Sequence, residues 1–279
     1  MKWHISIFFF LFLFSLASCA KHPANSKLRK HLSQISYAPP KQIHYTRTIS
    51  VFLFQKKIFW NQVPKSFIKT STLTKDQRSS NPGTPLMIQA AENNKKIYFR
   101  IEWHDSPHFS SNPTEAEKLA FNWNVHSFSF SNKGCDSACH FVPPSINPSA
   151  IPGMWLPRKK DLVDNWLWTA RTISKGTLQS NLLDQNLTGN PVLTKAGSHF
   201  IKSGFVRDLT PQILNEKSNY HHGKWTVLIS RSILTTNPKE TQFKSHTVKT
   251  FGISVFPGTI YHEYSGILTL LEKPITPKK

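Results

Sequence analysis

Cysteine, methionine and acid are all scarce in this chain. Its 279 residues hold three cysteines, three methionines and fifteen Asp or Glu, against thirty-five Lys or Arg. So few cysteines exclude a disulfide framework of the kind that staples small exported scaffolds. The sparse acids form no pair suited to acid–base chemistry. Nucleophile elbow, zinc-protease helix motif and phosphate-binding glycine loop are all missing. Together these absences argue against an enzyme. No internal repeat and no long helical pattern appears. The one strongly apolar run, residues 5–16, is too short to span a bilayer.

That run has the length of a secretion-signal core, and Lys2 gives it a weakly charged start. It ends in Leu16-Ala17-Ser18-Cys19, which resembles a bacterial lipobox with Cys19 as the lipidated residue. Residues 1–18 are accordingly expected to be a signal peptide. Residues 19–44 read as lipid anchor and basic tether, 45–272 as the folded domain and 273–279 as a tail. The expected location is the periplasmic face of a membrane. Lys21, two places after the anchor, is not a retention aspartate and favours the outer one.

The formal charge of +20 becomes +19 once Lys2 is removed with the signal. The excess is concentrated: residues 20–82 hold twelve Lys or Arg and a single acid, Asp76. In an exported lipoprotein this surface suits anionic lipid headgroups or an acidic redox partner protein. No nucleic-acid recognition motif accompanies it, so nucleic acid is not the expected partner.

Period-two patterns dominate the rest. Residues 86–91 and 97–103 flank Asn93-Asn94-Lys95 and predict a hairpin, with Tyr98, Arg100 and Glu102 on its wet face. Further strands are expected within 45–54, 119–130, 225–234, 247–256 and 259–271, and residues 163–172 are tryptophan-rich. Residues 61–82, 104–118 and 175–222 read as loops. The expected fold class is all-β, an antiparallel β-sandwich with long loop inserts.

The most chemically suggestive run is Gly134-Cys135-Asp136-Ser137-Ala138-Cys139-His140. Two thiols followed at once by an imidazole suit covalent haem attachment, with thioethers at Cys135 and Cys139 and iron coordinated by His140. Three residues lie between the thiols rather than the usual two. Met154, fourteen residues beyond His140, is the expected sixth ligand, with His104, His108 and His126 as alternatives. Met87 lies in a predicted strand and belongs to the core. Trp155, Trp166 and Trp168 are expected to wall the pocket, and Arg171 and Arg158 to face haem propionates.

Five stretches in order resemble the haem-binding domain of the ethylbenzene dehydrogenase type, the haem subunit of DMSO reductase-like enzymes. They are the run ending Glu102-Trp103-His104-Asp105, the Cys135 to His140 motif, Asp164-Asn165-Trp166-Leu167-Trp168-Thr169-Ala170-Arg171, Gly223-Lys224-Trp225-Thr226-Val227-Leu228-Ile229-Ser230-Arg231, and Phe251-Gly252-Ile253-Ser254-Val255-Phe256. The resemblance implies a β-sandwich holding one haem, here haem c, and a lipid-anchored c-type cytochrome that transfers electrons without catalysis of its own. Thr169 stands where members often carry lysine. The other expectation is a carbohydrate- or ligand-binding β-sandwich lipoprotein, with Cys135 and Cys139 joined in a disulfide and tryptophans exposed for stacking on sugar rings.

Overall fold

The computed structural model describes residues 43–72, 83–105, 116–133, 161–184, 207–208, 214–243, 248–256 and 263–272. The chain divides into units 1–37 and 38–279, and all the described residues lie in the second. They are almost entirely strand. In chain order these are β1 (Thr48–Leu53), β2 (Ser66–Ile68), β3 (Ser71–Thr72), β4 (Leu86–Glu92), β5 (Lys96–His104), β6 (Lys118–His126), β7 (Leu162–Thr172) and β8 (Lys175–Asp184). Then follow β9 (Arg207–Asp208), β10 (Leu214–His221), β11 (Lys224–Ser232), β12 (Val248–Phe256), β13 (Glu263–Tyr264) and β14 (Leu268–Glu272). One short helix, α1 (Phe128–Lys133), lies between β6 and β7.

The main path of the sheet is β10-β11-β5-β4-β1-β14-β12-β6-β7-β8-β9. It folds over so that aromatic side chains of β5 meet those of β6 and β7 across the interior. β8 and β10 approach each other at the far side, which nearly closes the sandwich into a barrel. The expected all-β sandwich is therefore the observed class. Its pairing is antiparallel except at β1, whose neighbours β14 and β4 both run parallel to it.

Local chemistry explains the elements. β5 alternates inward Ile97, Phe99, Ile101 and Trp103 with outward Tyr98, Arg100 and Glu102, and its burial alternates in step. Its hairpin with β4 turns on Asn93, whose side-chain oxygen accepts from the backbone N–H groups of Lys95 (2.9 Å) and Lys96 (2.8 Å). The β10–β11 hairpin turns on His222 and Gly223, both at positive φ (48° and 72°), the two-residue geometry that matches strand twist.

Several expectations change. The strand expected over 119–130 stops at His126, because Ser127 accepts from the Phe130 N–H at 3.2 Å and caps α1. The expected loop 175–222 contains β8, β9 and β10. The loop 61–82 contains the short strands β2 and β3.

The core is aromatic. Phe99, Phe121, Trp123, Trp166, Phe243 and Phe251 form one cluster, with Trp123 stacked on Phe251 at 4.4 Å and edge-on to Phe243 at 5.0 Å. Such pairs add about 0.5–1.5 kcal/mol each beyond simple area burial. Phe243 belongs to the segment after β11, which thus adds a buried ring to the core.

Candidate ligand-binding face

The outer face of β11 and β5 carries three ordered rows, each continued on β4 by a buried residue. Register places Thr226, Glu102 and Met87 in the first, Leu228, Arg100 and Gln89 in the second, and Ser230, Tyr98 and Ala91 in the third. A polar ladder joins them. Lys224 Nζ lies 3.2 Å from Glu102 Oε2, and Thr226 Oγ1 donates to Glu102 Oε1 at 3.4 Å. Arg100 Nη2 donates to the same Glu102 Oε1, while Arg100 Nη1 donates to Gln89 Oε1 at 3.0 Å. The Gln89 amide in turn donates to the backbone carbonyls of Trp60 (2.7 Å) and Val63 (2.6 Å).

The charged members remain within a ligand's reach. Their side chains are 25% (Arg100), 13% (Glu102) and 37% (Lys224) exposed. Tyr98, half-buried beside them, meets Phe54 edge-on at 5.5 Å. At the rim sits His104, paired across the strands with Lys224. Burial first and Lys224's charge second push its pKa below the ordinary imidazole value. The face thus offers a guanidinium, a carboxylate, an ammonium, a hydroxyl and aromatic rings in fixed mutual geometry.

Two polar clusters lie inside instead. Asp164 receives Arg231 Nη1 (2.7 Å), the Trp166 indole N–H (3.1 Å) and the Thr241 backbone N–H (2.9 Å), while Arg231 Nη2 reaches Glu240 at 3.0 Å. Elsewhere in the interior, Trp103, Trp168 and Trp225 pack together. Glu117 accepts from the Trp103 indole (2.9 Å) and Glu216 from that of Trp168 (3.1 Å). All these rings are buried, so the clusters hold the fold rather than a ligand.

Of the residues expected to form the site, Cys19, Cys135, Cys139, His140, Met154 and Trp155 lie outside the described residues, as do His108 and Arg158. Trp166 and Trp168 project inward from β7 and are fully buried. The Trp166 ring faces Trp123 (5.1 Å), Phe243 (5.8 Å) and the Arg231 guanidinium (5.1 Å). Trp168 faces Trp103 (6.0 Å) and Trp225 (5.1 Å). Neither indole presents a free face, so they are core and not the wall of a porphyrin pocket. Arg171 is exposed where the β7–β8 register shifts. His104 and His126 are exposed at the ends of β5 and β6, and Met87 is buried as expected. Among the described residues no group of three or more His, Cys, Asp or Glu is placed to hold a metal ion. Among the described residues the tryptophans, expected to be exposed for sugar stacking, are buried too, apart from the half-buried Trp60.

Neither Gln89 nor Lys224 stood out as a site residue in the sequence, because only strand register places them beside Arg100 and Glu102. The signal that existed was the wet face Tyr98-Arg100-Glu102, three side chains at period two.

No protein-family model matches the chain, and no curated protein does. Among solved structures it is similar to a family 9 carbohydrate-binding module from Caldicellulosiruptor kristjanssonii in complex with glucose. The identity is 10% over 83% of this chain and 98% of that one, with a TM-score of 0.42. The same module in complex with cellotriose gives 10% identity, 83% and 97% coverage and a TM-score of 0.41. A protein from Bacteroides uniformis, provisionally described as carbohydrate-binding, gives 6% identity over 81% and 99%, with a TM-score of 0.43. None of the three is described as a haem-binding domain. The resemblance to the ethylbenzene dehydrogenase type is corrected accordingly. The c-type cytochrome function, the electron-transfer role and the haem c it implied are withdrawn with it.

Proposed function

We propose that this chain is a non-enzymatic binding protein whose ligand is a carbohydrate, held on the outer face of β11 and β5. The observation that carries the reading is the ladder Lys224–Glu102–Arg100–Gln89 beside the Tyr98 and Phe54 rings. A sugar ring presents adjacent hydroxyls that both donate and accept, and C–H faces that pack on aromatic surface. Arg100 supplies a rigid fork of donors and Glu102 a matching acceptor. Because they already bond to each other, little side-chain freedom is lost when a ligand arrives. The reading rests on these side chains and not on the fold likeness. Lipid attachment at Cys19 and a periplasmic location form part of the same proposal, as the means by which such a protein stays at the cell envelope.

Titration calorimetry with mono- and oligosaccharides tests it. Wild type binds at least one sugar, and R100A removes that binding while the far-UV spectrum and melting temperature stay near wild type. Equal affinity in R100A, or no sugar bound by wild type, overturns it.

A further inference from the structure

A second surface lies beside the proposed sugar face, in the loop 55–65 that follows β1. Its basic residues Lys56 and Lys57 are exposed, and Phe59 projects with half its surface in solvent. Lys57 Nζ sits 5.4 Å from the Phe59 ring centre. Ile58 and Trp60 flank it, half-buried. The loop is firmly held. The Gln62 N–H donates to the Phe59 carbonyl at 2.8 Å, and the buried Gln89 amide binds the carbonyls of Trp60 and Val63. Phe59 is therefore fixed outward on a rigid turn rather than exposed by local looseness.

Charge within residues 43–72 has one sign. Residues 43–72 include Arg47, Lys56, Lys57, Lys65 and Lys69, all exposed, and no acid at all. Of the acids on the neighbouring strands, Glu92 is buried and Glu102 binds Arg100 and Lys224, while Glu272 of β14 stands in register with Val51, ahead of the loop. A single exposed aromatic is unremarkable by itself. An exposed phenyl ring beside two exposed lysines, in a segment that itself carries no acid, has the chemistry of an interfacial contact. The ring enters the headgroup–acyl boundary while the ammonium groups meet phosphates.

We propose that the 55–65 loop is a docking site for an anionic lipid surface, with Phe59 as the inserting side chain and Lys56 and Lys57 as the phosphate contacts. A soluble polyanion would engage the lysines but gives no role to a fixed, outward Phe59.

The test uses the full chain prepared without lipid modification. It is sedimented with vesicles of phosphatidylcholine alone, or of phosphatidylcholine mixed with phosphatidylglycerol. Binding is expected to the mixed vesicles only, and to weaken as salt is raised. K56Q/K57Q loses roughly tenfold or more in affinity. F59S loses roughly fivefold, because it forfeits apolar burial. F59W is the readout that charge alone does not move: its emission shifts to the blue on the mixed vesicles and is quenched by brominated chains. Unchanged binding in both loss variants overturns the proposal. So does wild type that ignores phosphatidylglycerol. Loss in K56Q/K57Q with unchanged F59S, an unshifted F59W and full competition by heparin also overturns it, in favour of a polyanion site.

Discussion

Arg231 on β11 donates to Asp164 on β7 at 2.7 Å, with both side chains at most 1% exposed, and so bolts one layer of the sandwich to the other. The same guanidinium reaches Glu240 at 3.0 Å and lies over the Trp166 and Phe243 rings. Burying ions is costly, and the pair persists because each lone pair of Asp164 finds a donor: Arg231, Trp166, Thr241 and, at 3.4 Å, Ser180.

Breaking one side of this network leaves a buried charge alone. R231M strands Asp164 and Glu240 together and is expected to destabilise the fold by about 3–5 kcal/mol. Urea unfolding at neutral pH measures this. A loss below about 1 kcal/mol, the range of an exposed ion pair, would show that the layers are not coupled through Arg231.

Gly176 is required by packing rather than by its backbone angles. A Cβ there would fall 1.9 Å from Trp168 Nε1, inside the contact that the Trp168 indole N–H makes with Glu216. The Gly176 N–H also donates to Glu216, at 3.2 Å. G176A is expected to lower stability by about 1–3 kcal/mol, the usual cost of overpacking. Near-ultraviolet circular dichroism should change with it, because the Trp168 ring must move. An unaltered melting temperature refutes the packing assigned to this corner.

Lys118 gives the clearest pH dependence. It is 1% exposed on β6, and burial lowers its pKa from 10.5 to about 8, partly opposed by Glu117. Below about pH 8 the amine is charged in folded and unfolded chains alike, and the penalty is fully present. Between about 8 and 10.5 the unfolded chain keeps a proton that the folded one has released, so stability rises with pH. The total gain from this group is about 3 kcal/mol, on the order of two to three pKa units. K118M is expected to flatten that rise and to be more stable than wild type at pH 7. Parallel urea titrations at neutral and alkaline pH check both; identical slopes in the two proteins would contradict the assignment.

His222 occupies a left-handed position (φ 48°) that suits Asn better than an ordinary L-residue. H222N is expected to raise stability by about 0.5 kcal/mol or slightly more, since the strained residue is replaced and nothing is buried there. Thermal unfolding detects it as a small upward shift, and a downward shift would mean that the imidazole makes a stabilising contact in the turn.

Much of the sheet was legible because its inward residues are large and its outward ones polar. β5 and β11 alternate cleanly, and Asn93 marks the turn between β4 and β5. β8 and β10 escaped because their inward positions include Ser180, Ser218 and Glu216, so the period-two contrast is faint. The parallel setting of β1 is a property of its partners and leaves no trace in its own six residues. At the site, Tyr98, Arg100 and Glu102 were visible as one wet face, while Gln89 and Lys224 came only with register. The haem reading drew on local spacing around Cys135 and on indoles at 166 and 168. A tryptophan has the same identity whether it walls a cofactor or fills a core, and here both rings are enclosed by other side chains.

The most direct test of the carbohydrate-binding account is an amide NMR titration of the folded chain with the sugar that calorimetry identifies. Saturable shifts confined to amides of residues 87–91, 98–104 and 224–230 are the predicted result. Saturable shifts centred on any other part of the sandwich, or no shift with any sugar at millimolar concentration, would contradict it.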